Sequence, residues 1–257
     1  MSWEITYGAF SAVLLAFCRM GGALFFNPVL SRRSVPAGVR AGLALGLAII
    51  VAPLKGSGMP QEPAAFRLIM LSAQELMIGV ACGIVLQFFF YLLFFAGDVI
   101  DTGFGLSMAK VFDPGSSIQM SLSGNLLQLL FILYFFATDS HLLLIRVMTA
   151  SYDVVPMGAA RLTGAAGSVL AGLFVTAFDL IMRLTLPFLA ASFVLELSMG
   201  ILMKLIPQIN VFVIHFQTKI LLGMVLLFLF AVPVTEFMNG YIETMFASMS
   251  DLLKAFA

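Results

Sequence analysis

Hydrophobic positions come in long blocks rather than in alternation. Apolar runs cover residues 5–26, 39–54, 68–96, 122–137, 169–203 and 220–234, each long enough to predict a helix and too continuous for half-buried strands. The run at 39–54 ends at Pro53 and is short for a lone lipid-facing span, so it is expected to stop there and to lean on neighbours. The run at 169–203 exceeds one span and holds Pro187, which predicts a bent or broken helix. From 236 to 256 the pattern changes. Phe237, Tyr241, Met245, Met249, Leu252 and Phe256 recur every three or four residues, and Asn239, Glu243, Asp251 and Lys254 fall mostly elsewhere, which predicts an amphipathic helix lying at an interface or on neighbouring helices.

One stretch breaks the apolar pattern. After FFFYLLFF (88–95) the chain reaches Gly97, Asp98 and Asp101 and then GLSMAKVFDPGSS (105–117), rich in turn formers. Bendable polar backbone flanked by spans is tolerable at membrane depth only inside protein or a cavity. The residues alone leave two readings open, an internal segment or an ordinary loop at the membrane surface.

Composition agrees with the blocks. Of 257 residues 61% are hydrophobic and 10% charged, against roughly 45–50% and 25% in soluble domains. The fold class expected is all-α, a polytopic membrane-type helical protein with about six spans. Thirteen basic and thirteen acidic residues give zero net charge with no long block of either sign, which argues against nucleic acid or a polybasic lipid patch. The densest positive cluster, Arg32, Arg33 and Arg40, is expected on the cytoplasmic side. Leu15-Ala16-Phe17-Cys18 misses the lipoprotein processing box at Phe17, and the first span is expected to be retained. Cys18 and Cys82 read as packing residues.

Arg19, Glu75, Asp179, Arg183 and Glu196 lie inside or beside the apolar runs. At about 3 kcal/mol each in mid-bilayer, five facing lipid would cost on the order of 15 kcal/mol, so most must face protein or water. Asp179 and Arg183 are spaced for a same-face ion pair, with a contact to a partner subunit and then a proton relay as the other readings. Glu196, Gly200 and Lys204 share a face in the same way. Ser121, Asn125 and Gln128 form an uncharged polar stripe beside Gly124, suited either to tight helix packing or to lining an aqueous path.

Chemistry finds little support. Gly105-Leu106-Ser107-Met108-Ala109 lacks the second glycine of a nucleophile elbow, and no motif ties His141 or His215 to Ser107. The histidines stand apart and the acids are spread singly, so no metal, cofactor or enzyme activity is expected.

Four stretches then carry a resemblance: NPVLSRRSVPAGVRAGLALGLAI (27–49), AGDVIDTGFGLSMAKVFDPGSS (96–117), LYFFATDSHLLLI (133–145) with SYDVVPMG (151–158), and IPQINVFVIHFQTKILLG (206–223). Their order and spacing resemble the FliR family of the flagellar type III protein export apparatus and, more distantly, the injectisome equivalent. Asp98 stands where that family has glutamate. Ile214-His215-Phe216-Gln217 departs from a pattern closer to Gly-Phe-Pro before Lys219, which lets the last span begin earlier.

The resemblance implies a FliP-like helical part at 1–158 and a FliQ-like helical hairpin with the C-terminal amphipathic helix at 159–257. It implies a gate subunit assembled with FliP- and FliQ-like partners, an FlhB-like protein at the cytoplasmic mouth, and unfolded export substrates passing through. The setting implied is the bacterial inner membrane and flagellar basal body, partly above the membrane plane. It also implies a channel plug at 103–117, to which Gly103 and Gly105 lend bends, Leu106, Met108, Val111 and Phe112 apolar bulk, and Asp113 and Pro114 a turn. Asp98, Asp101, Ser121, Asn125, Gln128, Asp179, Arg183, Glu196 and Lys219 are the expected intramembrane polar and partner contacts. The competing class is an ion-coupled secondary transporter, with Asp98, Asp101 and Asp179 titrating and the helix at Pro187 holding the substrate; only one such helix is evident.

Overall fold

The computed structural model describes residues 7–30, 35–56, 65–108, 121–160, 165–206 and 211–257. Among them the regular structure is helical throughout: α1 Tyr7–Phe25, α2 Ala37–Lys55, α3 Ala65–Gly103, a short 3-10 turn Leu106–Met108, α4 Leu122–Ala137, α5 Ser140–Val154, α6 Ala165–Leu205, α7 Val211–Leu229 and α8 Ala231–Lys254. Four of these (α1, α2, α3 and α6) are long and apolar enough to cross a membrane, or up to six spans if α4 with α5 and α7 with α8 each count as one broken span. The chain is an all-α, polytopic membrane-type protein. At 1.5 Å per residue α3 and α6 run roughly 60 Å, about twice the hydrocarbon thickness of a bilayer.

Three expectations about helix ends change. Pro53 lies inside α2, which continues to Lys55; its missing donor removes one bond near the end of the last turn, where Gly56 N–H still reaches the Ala52 carbonyl at 2.8 Å. Pro187 does not break α6, a single helix of 41 residues, because the ladder on both sides survives the loss of one donor. The apolar run at 220–234 is split instead, α7 ending at Leu229 and α8 opening at Ala231. Pro233 explains the place, since a proline in the first turn of a helix has no intrahelical donor to lose. The early start expected from Ile214-His215-Phe216-Gln217 is present, since α7 begins at Val211, ahead of the apolar run. α5 was not expected as a helix: Arg146, Thr149, Ser151 and Asp153 interrupt its apolar residues.

The fold divides into two compact units, and α3, α6 and α8 each contribute to both. One unit comprises residues 1–89, 138–174 and 243–257. In it α1 and α2 meet along an alanine seam, Ala12, Ala16, Ala48 and Ala52, bordered by Val13, Phe17 and Met157. α1 meets α3 through glycines: a Cβ on Gly22 would lie 2.7 Å from Val80 N, and one on Gly83 2.6 Å from the Phe26 Cβ. Small residues let backbones approach closely where lipid offers no hydrophobic drive for helix pairing.

The other unit comprises residues 90–137 and 175–242. Here α3 crosses α4 backbone to backbone, since a Cβ on Gly97 would overlap the Gly124 backbone. Beside the crossing Phe90, Phe131 and Tyr241 meet edge to face. α8, which runs from this unit into the first, buries Tyr241, Met245, Met249 and Leu252, with Phe256 buried just past its end, and exposes Asn239, Glu243, Asp251 and Lys254, as the amphipathic pattern predicts.

Candidate functional site

The segment that interrupts the apolar pattern leaves α3 and returns at α4, and the described residues at its two ends converge on Asp101. This carboxylate is 1% exposed. Its Oδ2 accepts the Ser121 hydroxyl at 2.6 Å, and its two oxygens share the Ser123 N–H at 3.2 and 3.3 Å. Ser121 in turn accepts the Gly124 N–H at 2.9 Å. Ser121 is therefore the N-cap of α4, and Asp101 satisfies a second of the donors that a helix start leaves open. A negative charge at that end also matches the helix dipole.

The exit from α3 is built as firmly. Phe104 is fully buried, edge to face with Phe188 at 6.4 Å, and Phe188 lies 5.1 Å from Phe230. The Phe104 ring fills a notch left by Gly223, where a Cβ would stand 2.7 Å from its Cγ. Gly105 follows at φ 74, a left-handed backbone that glycine adopts without strain. A Cβ there would meet the Phe216 ring at 3.6 Å, and one on Gly103 would meet Ser192 Oγ at 3.4 Å. The turn Leu106–Met108 comes next, with Ser107 Oγ 3.2 Å from Thr102 Oγ1 and Leu106 half-buried. Val111, Phe112, Asp113 and Pro114 lie outside the described residues.

The expected polar residues fall into separate places. Asp101 and Ser121 meet directly. Gln128 turns to the Phe90 carbonyl at 3.3 Å, across the α3 and α4 crossing, and Asn125, half-buried, sits one turn after Ser121 with its N–H on the Ser121 carbonyl. Asp98 is half-buried, and its carbonyl accepts the Thr102 hydroxyl at 2.8 Å. On α6, Asp179 and Arg183 bond at 2.9 Å with both side chains largely exposed. Glu196 pairs with Lys219 of α7 at 2.6 Å, not with Lys204 on its own helix, because the hairpin partner brings an ammonium to its face.

A second polar centre lies in the other unit. Arg19 and Glu75, both unexposed, bond from Nε to Oε2 at 2.5 Å and from Nη2 to Oε1 at 3.1 Å. Arg19 Nη1 also reaches Ser151 Oγ at 3.1 Å and its guanidinium lies 4.1 Å over the Tyr152 ring. Glu75 Oε1 accepts the Gly158 N–H at 2.8 Å, at a turn where Gly158 has φ 73. One ion pair thus ties α1, α3, α5 and the turn that follows α5. The sequence signalled it only as two lone opposite charges in apolar runs. Phe104, Phe216 and Gly223 carried no such signal.

Residues 10–245 match the family model described as bacterial export proteins, family 1. The chain is 30% identical to the flagellar biosynthetic protein FliR of Escherichia coli over 88% of this chain and 86% of that protein. It is 27% identical to the FliR of Pectobacterium carotovorum over 98% and 96%. It is also 30% identical to the Yop proteins translocation protein T of Yersinia pestis over 79% of each. The chain therefore belongs to the FliR family of bacterial export proteins, which are transport components and not enzymes.

Proposed function

We propose that this protein is a core subunit of a flagellar type III protein export gate in the bacterial inner membrane. With FliP- and FliQ-like subunits it forms a channel for unfolded export substrates, with an FlhB-like protein at the cytoplasmic mouth and the assembly partly above the membrane plane. Its FliP-like part is 1–158 and its FliQ-like hairpin 159–257. The segment 103–117 plugs the channel at rest, its apolar side chains excluding ions by dewetting and its methionine adapting to a moving neighbour.

The observation that carries the reading is likeness to flagellar FliR over nearly the full length of both chains. For the plug the support is local: a polar, bendable segment held at a buried neck between two apolar helices. Affinity purification of the tagged chain in mild detergent tests the assembly. Co-elution with FliP- and FliQ-like subunits is expected, and elution of the chain alone, with solute uptake after reconstitution by itself, would indicate a transporter. An injectisome gate is the second reading, favoured by the likeness to the Yersinia translocation protein; the genes beside this one separate the two.

A further inference from the structure

Arg40 stands in the first turn of α2 as a cation without a counter-charge. No ion pair among the described residues includes it. Its guanidinium lies 5.3 Å over the Phe25 ring at the end of α1, and its Nε–H is buried with no acceptor. A buried donor left unpaired is costly, so the place calls for an acceptor from outside the chain. Beside that cation α1 and α2 leave a cleft of about 300 Å³ lined by apolar residues, among them Phe10, Leu14 and Phe17 of α1 and Ala41, Gly42 and Leu45 of α2. Ala41 to Leu45 follow Arg40 within about 8 Å along the helix, well inside the roughly 15 Å depth of one leaflet. Glycines keep the path open. Gly21 shares a face of α1 with Phe17 and Phe25, and a Cβ on Gly21 or Gly42 would meet nothing within 4 Å.

We propose that the α1–α2 cleft binds an anionic phospholipid of the surrounding bilayer, its phosphate on Arg40 and an acyl chain against Phe17 and Gly42. Both parts of the ligand are matched. The two helices are long and apolar enough to cross a membrane, so the first turn of α2 lies at head-group level. An arginine fork fits phosphate oxygens, and a cation there favours lipid of net negative charge over zwitterionic lipid. An acyl chain is thin enough to enter between two helices, whereas a third helix, about 10 Å across, would only lie over the cleft. The site is complete within α1 and α2 and does not depend on the gate reading.

Photo-crosslinking of the full chain in the membranes of the cells that make it tests the site. A photoreactive benzoylphenylalanine in place of Leu45 puts the reactive group at the cleft. Mass spectrometry of the irradiated chain then measures the ratio of anionic to zwitterionic phospholipid among its adducts, against the same ratio in the total lipid extract. The adduct ratio should exceed the bulk ratio about fivefold. Arg40→Gln should return it to the bulk value by removing the phosphate contact, and Gly42→Phe should do so by filling the cleft with Arg40 in place. An adduct ratio equal to bulk with Arg40 and Gly42 intact overturns the proposal whether or not either variant folds. Crosslinking to a polypeptide in place of lipid also overturns it and would make the cleft a seat for a subunit or a second copy. Enrichment that survives Arg40→Gln removes the head-group assignment, and enrichment that survives Gly42→Phe removes the cleft.

Discussion

Arg19 and Glu75 lie 56 positions apart in sequence and meet through two hydrogen bonds with neither side chain exposed. Neither charge could stay buried alone. Removing one partner from such a pair costs about 3–5 kcal/mol, because the other is left as an uncompensated buried ion, whereas replacing both with apolar groups is often near neutral. Arg19→Leu and Glu75→Leu should each lower the amount of folded chain recovered from membranes severalfold. The double variant should recover more than either single one, with some loss left from the freed Ser151 and Gly158 groups. Recovery by fluorescence-detected size exclusion measures all three.

The contact between Gly97 and Gly124 sets a different limit. A methyl on Gly97 would occupy the Gly124 backbone, so α3 and α4 would have to separate. Gly97→Ala is expected to abolish the folded form. Gly42→Ala, where a Cβ meets nothing within 4 Å, should instead leave the isolated chain as stable or up to about 1 kcal/mol more stable through helix propensity. Recovery of folded chain from membranes measures the first, and thermal unfolding of the purified variant measures the second.

Overpacking at Gly223 acts through Phe104. The substituted Cβ would stand 2.7 and 2.9 Å from Phe104 Cγ and Cβ, and the ring is walled by Phe188. Gly223→Ala should destabilise by about 1–3 kcal/mol. Adding Phe104→Leu should offset part of that loss, since the pair are in contact and do not act independently. A double-mutant cycle on melting temperature provides the coupling.

Lys219 and Glu196 make a short ion pair, but the Glu196 side chain is 51% exposed. Solvent screening holds such a pair to at most about 1 kcal/mol. Lys219→Met should therefore change the stability of the isolated chain little. A large drop in recovery would show that the pair bears more weight in the hairpin than its exposure implies.

What could be read from the sequence was local. The apolar run at 122–137 coincides with α4 because the turn-forming residues before it and Thr138-Asp139 after it mark both ends; Asp139 takes a left-handed φ of 55. Asp179 and Arg183 pair because a four-residue spacing on one helix already brings them together. The Glu196 partner was misjudged since Lys219 arrives from another helix. Arg19 with Glu75, and Asp101 with Ser121, depend on which helices cross, and single-sequence periodicity does not encode crossings. The glycines that permit them, Gly22, Gly79, Gly97 and Gly124, look in sequence like any others in an apolar run. Of the bent or broken helix expected at Pro187, the break does not occur. Pro187 sits in a helix long enough to absorb one lost bond, whereas Pro233 coincides with a real break because it falls in a first turn.

The plug is the central claim, and membrane potential tests it most directly. Cells whose assembled gate lacks residues 106–114 should leak small ions and depolarise, while the same cells without the chain should not. Unchanged membrane potential in the deletion, with the complex recovered at wild-type levels, would contradict it.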